Sequence, residues 1–300
     1  MSRIAKKVPS NAAFRIFNHV DFRTGLCSAR LLEIFCVWIE PILSYGSAVW
    51  IFKVFPKIRV DSKPSWGYDD KWAEIHSQYK SMMRACACAS KGTNFNAVLV
   101  RLGMLPLHYI MALRALTAFF RIHRNKAGPA MSKMLHDFEQ SDSWSSSVFM
   151  KQARDNIDYF QSYIESSLLD AGSSKSFSKR LQQAMFCELS EKWKSQRKAK
   201  HTRSILPEWG PRAFNKQIPS KSSESWMMRC CFSQNFTRSF KKTCNPCASD
   251  VCRGCKAAPE TISHIILECP IAAVQRENLR NEIGATLNFI SSSKLDKIFV

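Results

Sequence analysis

From Asn11 to Val20, and again from Ser28 to Leu43, apolar side chains return every three or four residues: Phe14 and Phe17, then Leu31, Leu32, Phe35, Cys36, Ile39 and Leu43. That period is one face of an α-helix, and Ser28 suits the N-cap of the second run. The segment Glu40-Pro41-Ile42-Leu43-Ser44-Tyr45-Gly46 sets a proline and a glycine among large apolar residues, which predicts a helix end or kink packed under aromatic side chains. A polar stretch from Lys57 to Asp70, with Pro64 and Gly67, leads into a third helical run, Trp72 to Cys88, in which Ile75, Tyr79, Met82 and Met83 share a face. Thr93 to Leu102 reads as a short helix stopped by Gly103. Pro106 precedes the strongest run, His108 to His123, where Ile110, Leu113, Leu116, Phe119, Phe120 and Ile122 surround Arg114 and Arg121.

Residues 1–123 therefore read as one all-helical region. Gly128, Pro129, Asp142 and a Ser-rich patch mark 124–148 as a linker. Helical periodicity resumes over Phe149 to Leu169 and Phe177 to Trp193, giving a basic helical segment at 149–205. A second break, Pro207 to Pro219 with Trp209 inside it, opens a Cys-rich C-terminal module with a terminal helix over 206–300. The predicted fold class is mainly α, with no internal repeat and no sustained heptad.

At 300 residues and 45% hydrophobic, the chain can bury a real core, which argues against wholesale disorder. Near the start, the longest apolar stretch, Leu31 to Ile39, is interrupted by Glu33, whereas a membrane span needs about 20 apolar residues. Arg3, Lys6 and Lys7 precede no long apolar segment of a secretory signal. The expected location is the nucleus, the cytoplasm or both, with no membrane partner. A balance of 44 Lys+Arg against 24 Asp+Glu gives a formal charge of +20 and points to a polyanion, above all RNA or DNA, though solubility or an anionic membrane surface would also fit.

In a reducing compartment, close Cys/His clusters read as metal ligands rather than disulfides. Cys252-Arg253-Gly254-Cys255, eight residues, His264, four residues and Cys269 supply four such groups. Zn²⁺ favours four tetrahedral S/N donors, and the two-residue gap lets one tight turn present Cys252 and Cys255 to the same ion. Pro259 and Glu260 suit the first turn of a helix carrying His264, and Pro270 marks its end. Residues five apart on an ideal helix diverge by about 140°, so Cys269 is expected at an unwound end, turning back toward His264. With every ligand from protein, the Zn²⁺ would be structural, leaving no open position for catalysis. Cys244 and Cys247 could bind a second ion, exchange with the first pair, or do neither. Cys27, Cys36, Cys86, Cys88, Cys187, Cys230 and Cys231, scattered among apolar neighbours, read as core residues.

Other chemistry is sparse. Asp69-Asp70 lies in a polar loop without a third converging aspartate, and a solvated turn explains it better than a two-metal site. There is no Gly-rich phosphate loop and no nucleophile elbow; the remaining histidines fall in no catalytic pattern. Lys192, Trp193, Lys194, Arg197, Lys198, Lys200 and Arg203 combine phosphate-neutralising charge with a ring that could stack on a base, and so are candidate nucleic-acid contacts; a solvated helix face or a localisation signal is the competing reading.

Three landmarks resemble a family. Pro41-Ile-Leu-Ser-Tyr-Gly-Ser-Ala-Val-Trp50 looks like the segment that follows the palm in reverse transcriptases of non-LTR (LINE-type) retrotransposons. Leu102-Gly-Met-Leu-Pro-Leu-His108 looks like that family's next landmark, and Cys252, Cys255, His264, Cys269 and Pro270, with Glu260-Thr261 and Ile265-Ile-Leu267 around the histidine, are similar to its terminal zinc motif. Order and spacing agree over most of Ala12 to Pro270. The resemblance implies a helical thumb after the palm, a C-terminal zinc module that binds nucleic acid, and an RNA-directed DNA polymerase copying element RNA at a nicked target.

The family's Tyr/Phe-x-Asp-Asp belongs upstream of Tyr45-Gly46, whereas Asp69-Asp70 lies downstream and has Gly67 in the aromatic position. Fingers, palm, endonuclease and a ribonuclease H carboxylate set have no counterpart in the sequence. The expectation is therefore a nucleic-acid-binding C-terminal fragment of such an element, not catalytic alone. Two alternatives stay open: part of an active reverse transcriptase when joined to a polymerase-bearing retrotransposon chain, and a helical scaffold for protein–protein interaction.

Overall fold

A computed structural model describes residues 28–59, 61–65, 67, 69–124, 148–196, 199–211, 232, 237–262, 264–278 and 281. The expected helix at Asn11 to Val20, nearly all of the 124–148 linker, and Arg197 and Lys198 of the basic cluster lie outside them, as do Cys27, Cys230 and Cys231. The fold is mainly helical, with no strand among the described residues. Helix α1 (Ser28–Ile34) runs through a π-helical turn (Phe35–Ile39) into α2 (Glu40–Leu43), followed by α3 (Ser47–Val54), α4 (Asp69–Cys86), α5 (Phe95–Leu102) and α6 (Leu107–His123). Then come α7 (Val148–Gln161), α8 (Ser174–Ser195), α9 (Lys200–Ile205) and α10 (Arg238–Cys244).

Local chemistry sets these boundaries. Pro41 has no N–H and its ring would clash with the carbonyl four residues earlier, so the helix widens there and the Glu40 amide bonds the Phe35 carbonyl five residues back. The kink expected at this proline is thus a wide turn just ahead of it. Gly46, at φ +67°, makes the left-handed turn into α3. Asn94 caps α5 by accepting from the Ala97 amide at 3.2 Å, and Gly103 ends it at φ +63°. Ser173 caps α8 by accepting from the Ser176 amide at 3.1 Å.

Helix α6 is the hub. Leu107, Tyr109, Met111, Ala112, Ala115, Leu116 and Phe119 are buried around most of its circumference, while Arg114 and Arg121 remain exposed. It packs against α3, α7 and α8. Phe120 stacks on Phe177 with centroids 4.3 Å apart, and the Tyr109 hydroxyl donates to Glu188 at 2.6 Å, which sets α6 and α8 antiparallel. Glu188 is fully buried and accepts a second bond from the Tyr159 hydroxyl at 2.9 Å. Asn156, also buried, accepts from the Ile58 amide at 2.9 Å and donates to the Pro56 carbonyl at 3.1 Å. The apolar cluster consequently runs without a break from Leu31 to Trp209 and Phe232. The basic helical segment at 149–205 shares this core with the described residues of 28–123, so the 124–148 boundary does not separate two cores. Among the described residues no single helix is long and apolar enough to cross a membrane.

Cys86 is buried, as read from its neighbours, but Cys36 is exposed on the π-helical turn and Cys88 and Cys187 are half-buried.

Candidate metal centre

The C-terminal region has a different construction. Among side chains described between 237 and 278, the buried ones are Thr237, Cys252, Glu260, His264 and Cys269; none is aliphatic. Cys252 and Cys269 stand apart from the helical core cluster.

Residues 250–260 form a knuckle. The Glu260 amide donates to the Asp250 carbonyl at 2.6 Å and the Cys252 amide to the Ala258 carbonyl at 2.8 Å, around an isolated antiparallel bridge between Val251 and Pro259. Lys256 completes the turn in the left-handed region at φ +58°. Gly254 lies under the cluster: a Cβ there would sit 3.6 Å from the Cys269 sulfur, 3.7 Å from that of Cys252 and 3.3 Å from Ile271 Cδ1.

The other two donors come from a second device. The Thr261 Oγ1 accepts from the His264 amide at 2.9 Å and starts a π-helical turn, His264–Glu268, in which the Cys269 amide reaches back to the His264 carbonyl at 2.6 Å. The wider turn removes much of the angular divergence that an α-helix would impose on residues five apart. Cys269 follows in an extended conformation and Pro270 opens a 3₁₀ turn, Pro270–Ala272. Turning Cys269 back at the helix end works as read from the spacing, aided by this widening. The first-turn role read for Pro259 and Glu260 does not hold: Pro259 pairs with Val251, and Glu260 turns back into the knuckle.

All four donor atoms, the sulfurs of Cys252, Cys255 and Cys269 and a His264 ring nitrogen, lie within 4.8 Å of one another. The Cys252 and Cys269 sulfurs are 3.9 Å apart, and Cys255 Sγ is 3.2 Å from His264 Nε2. These four residues could hold a metal ion. Nε2 is the ring nitrogen that faces the cluster, while the buried Nδ1 lies 3.5 Å from Glu268 Oε2 without hydrogen-bond geometry. Cys247 is exposed and outside the group.

Backbone amides prepare the sulfurs for charge. The Cys255 thiol is lowered to about 7, first by the Ala257 amide and then, against the cost of burial, by His264 and Cys252. The Cys252 thiol is lowered too, chiefly by the Cys255 amide. Burial opposes the charged form of His264, but its hydrogen bonds to Cys255 and Cys252 carry its pKa above the ordinary value.

Glu260 was not legible as part of this site. Its carboxylate, 2% exposed, accepts from the Arg253 amide at 2.8 Å, from Arg253 Nε and Nη2 at 2.9 and 2.7 Å, and from the Arg238 amide at 3.1 Å. The Arg253 guanidinium above all holds its pKa down at about 2. One side chain thereby fastens the turn between Cys252 and Cys255 to the start of α10. Its stabilising charge is complete above the ordinary carboxylate range, near 4, and is lost as pH falls toward 2. Glu260→Ala frees two backbone amides and the Arg253 guanidinium that together hold the knuckle, so metal affinity measured by chelator competition falls by about 10- to 100-fold.

The basic cluster is divided by the structure. Lys192 and Lys194 are exposed at the end of α8, and Lys200 opens α9. Trp193 is not a stacking platform: it is 1% exposed, donates from Nε1 to the Leu206 carbonyl at 2.8 Å and meets Trp209 edge-on at 6.4 Å. Its ring belongs to the core because α8 turns that face inward. Arg203 is half-buried and donates to the Trp193 and Gln196 carbonyls, closing the end of α8. Asp70 is exposed in the first turn of α4.

Compared with known protein families, with curated proteins and with solved structures, the chain finds no match.

Proposed function

We propose that this protein binds RNA or DNA through a helical body and a C-terminal module built on one structural Zn²⁺, and that it corresponds to the thumb and terminal zinc motif of a non-LTR retrotransposon reverse transcriptase, with no polymerase chemistry of its own. The observation that carries the reading is the convergence of three thiols and an imidazole on one point in a region that buries no described aliphatic side chain. Soft thiolate with imidazole in a closed four-donor set suits Zn²⁺ better than the oxygen-seeking Mg²⁺ or Ca²⁺. Four protein ligands leave no site for a reacting water, and among the described residues the exposed Asp70 sits in no carboxylate cluster, which supports a binding role. A charge of +20 supplies the attraction for a polyanion, and a nuclear or cytoplasmic setting keeps the thiols reduced.

Fluorescence anisotropy with a 30-nucleotide RNA and a matching DNA duplex tests the reading. Affinity should fall steeply between 50 and 200 mM salt, by about a thousandfold if six phosphates are neutralised. An absence of binding to both at low salt contradicts it.

A second reading, a helical partner for another protein, is favoured by one feature: Val37, Trp38, Ile42 and Tyr45 are 40–84% exposed along the π-helical turn, α2 and the turn that follows it. Such an apolar patch suits contact with a polymerase-bearing chain. Binding to such a chain that is lost on Trp38→Lys, with RNA affinity unchanged, would support it.

A further inference from the structure

Between α6 and α8, floored by the loop that joins α5 to α6 and closed on one side by Cys36 and Glu40, lies an open cleft of about 570 Å³. Resting on the nucleic-acid reading above, we propose that this cleft takes one nucleotide of a single-stranded nucleic acid, with its base inside and the flanking phosphates on Arg114 and Arg121.

The two arginines are seven residues apart on one helix, hence on one face and about 10.5 Å apart along the axis. That is the length of about three stacked nucleotides at 3.4 Å each, so the pair can hold the strand on either side of a nucleotide drawn inward. Both are exposed. Arg114 is held at the rim by Glu40, with Nη2 2.6 Å from Oε1, while Arg121 makes no ion pair among the described residues. The antiparallel register set by Phe120 on Phe177 brings Arg121 to the N-terminal end of α8, where exposed Lys175 lies on the same face as Gln182. Net positive charge therefore lies at the Arg121 and Lys175 end of the rim, while Arg114, its charge offset by Glu40, offers its remaining N–H groups.

The interior differs from a plain anion site. Leu105 and Ile110 give it an apolar floor, and Ser178 and Gln182 project hydroxyl and amide groups from the opposite helix. An acidic peptide would use the rim arginines and leave both features idle. A heteroaromatic base uses all of them: its faces lie on apolar side chains and its edge meets an amide that can donate and accept. The volume falls in the range of sites for small ligands, about 300–1,000 Å³.

The test is binding of a labelled 15-nucleotide oligo(U) to the full chain over a salt series. Arg121→Ala should lower the log–log salt slope by about 0.7, the share of one phosphate on a single strand. Ala118→Leu fills the cleft without altering charge and should weaken binding about tenfold at unchanged slope. Gln182→Ala, at an exposed position, should weaken it in the same way and serves if Ala118→Leu loses helical content. Polyglutamate of matching length should compete poorly. If oligo(U) binds the wild type and all three variants alike, or if polyglutamate competes equally, the cleft is not the site and the broader nucleic-acid reading stands. If the wild type binds no oligo(U), the cleft proposal falls, and the broader reading falls with it only if the 30-nucleotide RNA and the DNA duplex also fail to bind at low salt.

Discussion

Chelating the metal at neutral pH should unfold residues 237–278 while the helical body keeps its structure, and Cys252→Ser or His264→Ala should do the same without a chelator. The reason is the composition of the module's interior. Thr237, Cys252, Glu260, His264 and Cys269 are what it buries among the described side chains, so hydrophobic transfer contributes little there. Structural Zn²⁺ in small modules contributes about 10–16 kcal/mol, far more than a few hydrogen bonds at about 1 kcal/mol each. The body, by contrast, has one continuous apolar cluster anchored by α6 and does not include Cys252 or Cys269. Limited proteolysis checks this directly: cleavage should appear within 237–278 on adding chelator, disappear on restoring zinc, and spare 28–124. Uniform cleavage throughout the chain would mean that module and body fold as one unit.

The second large effect concerns Trp193. Trp193→Ala should destabilise the helical body by about 3–5 kcal/mol, since it opens a cavity beside Trp209 and removes the donor to the Leu206 carbonyl. The paired change Lys192→Ala and Lys194→Ala, at exposed positions, should leave the melting temperature within a few degrees and reduce only the salt-dependent affinity for RNA. Thermal unfolding followed by circular dichroism separates the two. A stable Trp193→Ala protein with weakened RNA binding would return the ring to the interface and contradict the burial.

These residues show where sequence was sufficient and where it was not. The four residues of the candidate metal centre were readable because a Cys-x2-Cys turn and a nearby His and Cys have a local geometry that needs little long-range information. The helices were readable from their period, and Gly103 and Pro106 punctuated them correctly. Trp193 was misassigned because its basic neighbours conceal which face of α8 is buried; that face is chosen by Trp209, sixteen residues later and inside the break that Pro207 opens. The continuity of the core across 124–148 was hidden for the same reason, since Asn156 and Glu188 act through partners about 30 to 100 residues away. Glu260 read as a helix-start residue; only the folded knuckle places its carboxylate on the Arg253 and Arg238 amides. The π-helical turn at His264 left one trace, a ligand spacing of five that an α-helix does not serve.

The most direct measurement is zinc X-ray absorption on the purified full chain, together with its elemental stoichiometry. One zinc per chain, bound by three sulfurs at about 2.3 Å and one nitrogen at about 2.0–2.1 Å, is the expected result. A folded C-terminal module carrying no metal, or zinc bound chiefly by oxygen, would contradict it.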